Sequence, residues 1–435
     1  MLFETGFLRG LLTRSVLKFV TETFHLPNHG SFRVRLKLHK EWDAADAIPA
    51  RPICSMGKSW CANASAWIKS QLSEAVTMLP HKLACSNQLQ YFLNRRDFSD
   101  CQLFTGDIHN LYPSVPITAD SDCHFMIQFS ASVRRYLTHS RGSLVIEVVK
   151  NLVLNQHVTY RDTLFTAAGV ATGSSSGVHL TEMYHAEFDL YLQSSLQGIM
   201  RFFKRYVDDS LIISTGTSHN RVLDTMNAWH PNIVWTDTCK PFDTTVTFLD
   251  ANIHLNPSGA IEFTTYRKPM NLYLYCPSQS CHPPNIAPSI VHSEVARMRR
   301  TNTSHKEFLF QARYFQSKFN GGGHRCTTLV DALLDRERRR RHSSITHVKA
   351  KQPRRFNFAL PYSFSLRTST FQKAFRSHSG LIHVALKGKA LVSLALQLQQ
   401  NLHKRMHKHT WAWRDDAPSS PGGMVEPHDA AQGEN

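Results

Sequence analysis

Basic and apolar residues alternate from Ser31 through Phe32-Arg33-Val34-Arg35-Leu36-Lys37-Leu38-His39 to Lys40, which predicts a half-buried strand. Ala50 to Ser55 predicts a second. From Trp60 to Leu79, Ala64, Trp67, Ile68, Leu72, Ala75 and Val76 recur at helical spacing and predict an amphipathic helix. Leu103 and Phe104 lead a short strand into Asp107. Phe125 to Tyr136, Leu144 to Leu154 and Val178 to about Leu196 have helical character, the last opened by the Gly- and Ser-rich stretch Gly169 to Gly177, whose backbone N–H groups and serine hydroxyls suit phosphate or a template base. Further on, Phe202 and Phe203 precede Arg205-Tyr206-Val207-Asp208-Asp209-Ser210, and Leu211, Ile212 and Ile213 follow it. Two apolar runs broken at this point predict a buried β-hairpin with adjacent carboxylates at its tip.

His219 to Trp229 predicts a helix, Val246 to Asp250 a strand, and Gly259 a turn into the run Ile261 to Pro269. Ser293 to Phe319 reads as two short helices with basic residues among the apolar ones, and Gly321-Gly322-Gly323 marks a break. Helical periodicity returns between Ala385 and Leu402. The last twenty or so residues are polar, rich in Pro and Gly, and predicted to be disordered. Met1 to Phe24 is amphipathic and basic, as a transit peptide would be, but Glu4 and Glu22 weigh toward a helix that leads into the first domain.

Charge narrows the partners. The chain has 435 residues and a formal net charge of +17, which favours a polyanion. Between 294 and 355 there are 16 Lys and Arg against 5 Asp and Glu. That stretch includes the run Arg338-Arg339-Arg340-Arg341, which suits a phosphate-binding surface, a solvated tail or a nuclear import signal. No apolar run is long enough for a membrane span, and no signal peptide is expected. Nine cysteines without a Cys-x-x-Cys pair point to free thiols in a reducing compartment, nuclear or cytoplasmic. Cys276, Cys281 and His282 are near one another, but their spacing matches no common zinc finger.

The chemistry lies in the carboxylates. An Asp-Asp turn alone is ordinary turn chemistry. Here a third carboxylate stands at a strand end, in Phe104-Thr105-Gly106-Asp107-Ile108-His109-Asn110-Leu111-Tyr112-Pro113. Carboxylates gathered near a core repel unless a cation neutralises them. Three converging from adjacent strands suit two Mg²⁺ ions about 4 Å apart, with Mn²⁺ as an alternative.

With Asp107 before a Tyr112 and Tyr206-Val207-Asp208-Asp209 on the hairpin, the chain resembles a reverse transcriptase. Phe248-Leu249-Asp250, then Tyr266-Arg267-Lys268-Pro269 and Ser280-Cys281-His282-Pro283, resemble the corresponding passage of Penelope-like and related non-LTR retroelements. The resemblance implies an α+β fold of right-hand polymerase architecture: fingers, a palm with an antiparallel sheet, and a helical thumb, followed by a basic helical C-terminal extension. The expected divisions are a helical lead at 1–24, fingers and palm at 25–275, thumb at 276–335, extension at 336–410 and tail at 411–435.

It implies an RNA-directed DNA polymerase that adds dNTPs to a DNA primer on an RNA template. Asp107, Asp208 and Asp209 would be catalytic and, with the Ile108 backbone, would hold the metal. Lys40 (or Lys37) and Arg51 would clamp the triphosphate. Tyr112 would exclude a 2′-hydroxyl, Thr172 and Gly173 would stand in the second palm motif, and Lys268 would approach the triphosphate or pyrophosphate. Tyr206, Arg297, Arg300 and the run Arg338 to Arg341 would contact nucleic acid. Thr172 departs from the family's usual Met or Gln, and Ser176-Gly177 from its usual Pro or Ala. Nothing after Trp413 resembles a GIY-YIG endonuclease, so a separate endonuclease is a further candidate partner. The competing class is a polymerase-derived nucleic-acid-binding protein without catalysis. A third, an RNA-copying RNA polymerase, is disfavoured by Tyr112 and Val207.

Overall fold

The computed structural model describes residues 2–25, 29–36, 50–94, 96–118, 120, 122–216, 219–269, 271, 273–275, 277–279, 285–342, 357–361 and 395–399. Its elements begin with α1 (Leu2–Leu8), α2 (Arg14–Thr21), β1 (Gly30–Leu36), β2 (Ala50–Ser55), α3 (Ala62–Met78) and α4 (Asn87–Leu93). There follow β3 (Cys101–Ile108), α5 (Leu111–Ser114), α6 (His124–Tyr136), α7 (His139–Leu154), β4 (His157–Tyr160), β5 (Thr163–Thr166) and α8 (Gly177–Ser195). Next are β6 (Met200–Tyr206), β7 (Asp209–Thr215), α9 (His219–Asn227), β8 (Trp235–Asp237), β9 (Thr245–Phe248), β10 (Ala251–Leu255) and β11 (Ile261–Thr265). The described chain ends with α10 (Ile286–Thr301), α11 (His305–Gly321), α12 (Thr327–His342), β12 (Asn357–Pro361) and β13 (Ala395–Gln399). The architecture is α+β with mostly antiparallel sheets. Two compact units are present: 1–271 with 297–311, and 272–296 with 312–435.

The first unit is organised on the sheet β6-β7-β3-β8. Successive side chains of a strand face opposite sides, and both sides of this sheet are buried. Phe104, Phe203 and Ile212 pack into a core with α3, α6 and α8, while Leu103, Phe202, Leu211 and Ile213 pack with Val246, Phe248, Ile253 and Phe263 of the β11-β10-β9 sheet. Double-sided burial accounts for the unbroken apolar runs around the hairpin. At about 1.5–3 kcal/mol per fully buried large apolar side chain, these layers are the main support of the sheet. Helix α8 is buried on most sides, with Leu180, Met183, Tyr184, Phe188 and Leu192 inside and the polar Thr181, Glu182, His185 and Asp189 buried beside them.

A second sheet has the order β2-β1-β4-β5. The β4–β5 hairpin, at 157–166, follows α7 where the periodicity between 118 and 165 predicts only helices. Its turn residues, Arg161 and Asp162, both have positive φ, +48° and +61°, and β4 joins β1 in parallel. The amphipathic start forms two helices, α1 and α2, rather than one. Phe3 packs edge-on to Trp67 with ring centroids 5.3 Å apart.

The expected helical extension needs correction where the chain is described. Beyond α12, β12 and β13 pair in parallel. Ala395-Leu396-Gln397-Leu398-Gln399 alternates apolar and polar residues with the period of a strand, and that pattern prevails over the longer helical periodicity. The tail at 411–435 lies outside the described residues, as do Cys276, Cys281 and His282. Every described cysteine is free, and no described helix is long and apolar enough to cross a membrane.

Candidate active site

Strand register brings the carboxylates together. Asp107, next to last in β3, stands directly opposite Asp209, the first residue of β7. Tyr206 also pairs with Asp209, leaving Val207 and Asp208 as a two-residue hairpin turn. The Asp208 carbonyl accepts from the Ile108 N–H at 3.2 Å, which ties the turn to β3. The three aspartates line a cleft of about 560 Å³ together with Ile108, Arg51, Tyr112 and Thr172.

Each wall has a local cause. Asn110, at φ +52°, adopts the left-handed conformation and starts the short helix α5, which carries Tyr112. The 169–173 segment runs past it. Val170 N–H donates to the Tyr112 carbonyl at 2.9 Å, and Cys54 N–H donates to the Thr172 carbonyl at 2.7 Å. Gly169 has φ +60°, and a Cβ there would lie 2.2 Å from the Tyr112 carbonyl oxygen. At Gly173, φ is +111° and a Cβ would lie 2.6 Å from the Cys54 carbonyl oxygen. Buried Gln156 braces the segment: its Nε2 donates to the Gly169 carbonyl at 3.1 Å and its Oε1 accepts from Ala171 N–H at 2.7 Å.

The hydroxyls of Ser174, Ser175 and Ser176, expected at the sequence level to be offered to phosphate or a template base, instead converge on Ser65 Oγ of α3. Their separations are 2.8, 2.9 and 2.9 Å. Ser176 N–H also donates to that oxygen at 3.1 Å. They fix the start of α8 against α3.

Electrostatics mark the cleft. Burial, with Asp208 and then Asp107 as like-charged neighbours, pushes the Asp209 carboxyl up to about 7. Burial, with Asp208 and Glu182 adding and Arg51 opposing, pushes the Tyr112 hydroxyl up to about 12. Hard carboxylate oxygens that repel one another fit a divalent cation in donor type and charge. Among the described residues, no three His, Cys, Asp or Glu side chains already stand as a metal-ligand set.

Beneath the turn lies a feature that the motif reading missed. Arg205 is 1% exposed. Its Nε and Nη2 donate to Asp189 Oδ1 and Oδ2 at 2.9 and 3.0 Å, a bidentate pair. Its Nη1 donates to the Val207 carbonyl at 2.8 Å and makes an ion-pair contact with Glu182 Oε2 at 3.0 Å. Glu182 and Asp189 are buried on α8, seven residues apart and so on one face. Burial raises the Glu182 pKa despite the opposing Arg205. The available signal was two acids at that spacing on α8, a helix that also carries Glu187.

Gly173, Tyr206, Lys268, Arg297 and Arg300 are not among the residues that line the cleft. Gly173 follows Thr172 and lies against the Cys54 carbonyl. Tyr206 is 37% exposed at the end of β6. Lys268 is exposed beyond β11, Arg297 and Arg300 lie on α10, and Arg338 to Arg341 occupy the C-terminal end of α12. Lys37 and Lys40 lie outside the described residues.

No known family profile matches the chain, and no curated protein matches it. Solved structures do. Telomerase from Candida albicans in complex with a TWJ fragment of telomeric RNA is similar at 9% identity and a TM-score of 0.47, over 76% of this chain and 62% of that one. Apo telomerase from Candida tropicalis is similar at 8% identity and a TM-score of 0.43, over 71% and 58%. The same enzyme truncated from its C-terminal domain gives 10% identity and a TM-score of 0.39, over 55% of each chain. The matched region thus spans 55% to 62% of those chains' own length.

Proposed function

We propose that the chain is an RNA-directed DNA polymerase that transfers dNTPs to a primer 3′-hydroxyl. The observation that carries this reading is the register of β3 against the β6–β7 hairpin. It gathers Asp107, Asp208 and Asp209 in one cleft with Arg51 and Tyr112. Asp107, Asp208, Asp209 and the Ile108 carbonyl would hold two Mg²⁺ ions, or Mn²⁺. When bound, such ions supply Lewis acidity toward the attacking hydroxyl and the phosphates. Arg51 neutralises and orients the triphosphate, as a guanidinium suits. Tyr112 packs under the sugar and excludes a ribose 2′-hydroxyl, and Thr172 borders the nucleotide. Lys40, Lys268, Tyr206, Arg297, Arg300 and Arg338 to Arg341 are the further proposed contacts to nucleotide or nucleic acid. Origin in a non-LTR or Penelope-like retroelement, with a separate endonuclease as a further partner, rests on the sequence motifs alone.

A second reading is a polymerase-derived binding protein without catalysis. The departure of Thr172 from the Met or Gln usual in reverse transcriptases favours it. Primer extension on an RNA template with Mg²⁺, comparing wild type with Asp208→Ala and dNTPs with rNTPs, separates the two. Extension with dNTPs alone, abolished by the substitution, supports the polymerase. Duplex binding with steep salt dependence but no extension by either protein supports the second reading.

A further inference from the structure

We propose that Arg205, pinned between Asp189 and Glu182, is the positioning residue of the Val207–Asp208 turn and sets where Asp208 points into the cleft. This rests on the polymerase reading. Val207 has φ +58°, a region that L-residues avoid and β-branched ones resist most. Such a conformation persists only when its surroundings over-determine it. Here the surroundings are the Arg205 fork. One edge is taken by both oxygens of Asp189, and the remaining nitrogen reaches the Val207 carbonyl at 2.8 Å.

The backbone of Arg205 is fixed as well. Its N–H donates to the His81 carbonyl at 2.8 Å, and its carbonyl accepts from Leu83 N–H at 2.7 Å. Guanidinium, main chain and helix α8 therefore hold the residue from three sides. An ion pair that only joined β6 to α8 would have no need of the turn carbonyl. Lysine cannot replace the fork, because one ammonium cannot span both Asp189 oxygens and Val207 with fixed directions.

The test compares wild type, Arg205→Lys, Val207→Gly and the double variant. It reads melting temperature, Mn²⁺ binding by electron paramagnetic resonance, and kcat and KM for dTTP on poly(rA)·oligo(dT). Arg205→Lys is expected to fold but to lose about 100-fold in kcat, the scale of an ångström misplacement. Its KM should stay within about threefold, since ground-state nucleotide binding is not what is lost. Half-saturation by Mn²⁺ should rise about tenfold, because the carboxylates no longer start in place.

Glycine accepts φ +58° without strain. Adding Val207→Gly to Arg205→Lys should therefore recover about tenfold of the lost kcat. No recovery, or an Arg205→Lys protein with wild-type kcat and Mn²⁺ binding, overturns the proposal. If Arg205→Lys does not fold, Glu182→Gln and Asp189→Asn keep the side-chain shapes and carry the same expectation at smaller size. A wild type that neither extends nor binds Mn²⁺ removes the polymerase reading and this one with it. A wild type that extends while every Arg205, Asp189 and Glu182 variant matches it removes only this one.

Discussion

Arg205 donates from Nη1 to the carbonyl of Val207, two residues further along the same chain, at 2.8 Å. The contact is local in sequence, yet the arginine is oriented by Asp189 and Glu182 on α8. Burial alone would lower the Arg205 pKa, but the two carboxylates hold it raised. Arg205→Met would leave both acids buried without their cation. It should cost about 3–5 kcal/mol of stability, read as a lower denaturation midpoint in urea. A midpoint within error of wild type would show that the acids find other partners.

Asp209 gives a pH signature in the apo protein. Its folded pKa is raised from 3.8 to about 7, so the folded state holds the proton more tightly than the unfolded one. Stability from this group is full below the unfolded value and lost as pH rises through the folded value. In EDTA, Asp209→Asn should therefore gain in melting temperature over wild type between about pH 4 and pH 8. The gain should reach about 1–3 °C after allowance for solvent screening of a partly exposed group. Parallel curves across that range would contradict it.

Tyr112→Ala should relax sugar selection. The ring borders the cleft beside Asp208, and its removal opens room for a 2′-hydroxyl. Discrimination between dATP and ATP, taken as the ratio of kcat/KM, should fall at least about tenfold. An unchanged ratio would return Tyr112 to a packing role.

Arg51→Ala should act on nucleotide binding. Loss of a charge-assisted contact to phosphate is worth about 1.5–3 kcal/mol, or roughly 13- to 160-fold in KM for dNTP, with kcat largely kept. A fall in kcat alone would place Arg51 elsewhere in the reaction.

Gly169→Ala tests the packing behind the cleft. Alanine at φ +60° with its Cβ 2.2 Å from a carbonyl must displace the backbone of Tyr112. Strain alone should cost about 1–3 kcal/mol, and sugar discrimination should loosen along with stability. A variant that matches wild type in both would show that the segment yields freely.

The hairpin was legible in the sequence because it is buried on both faces: Phe202, Phe203, Leu211, Ile212 and Ile213 leave no polar position to confuse the period. Helices α3, α6 and α8 were legible within two residues for the same reason of regular burial, whereas α7 starts at His139, five residues before the predicted Leu144. The β4–β5 hairpin escaped because its strands have four residues each, too short for a period to stand out between helices. Arg51, Asp107, Tyr112, Thr172, Asp208 and Asp209 could be nominated singly, and the structure brings them to one cleft. Arg205 was visible within its motif but not its burial, since a charge inside an apolar run does not show which acids a distant helix will set beside it. The three serines misled in the opposite sense. Their hydroxyls suit phosphate, but Ser65, more than a hundred residues earlier, takes them up.

That β3 pairs with β7 across a separation such as the 104 residues between Gly106 and Ser210 also bears on how the chain reaches its native state. The β6–β7 hairpin closes a two-residue loop and can form in microseconds. Its docking on β3 must wait for a long loop to close, and topologies rich in such distant pairings fold slowly. During synthesis Asp107 leaves the ribosome well before Asp208 and Asp209. A ribosome stalled before the hairpin emerges therefore displays β3 with its apolar faces uncovered, a segment for chaperones to shield until its partner strand arrives.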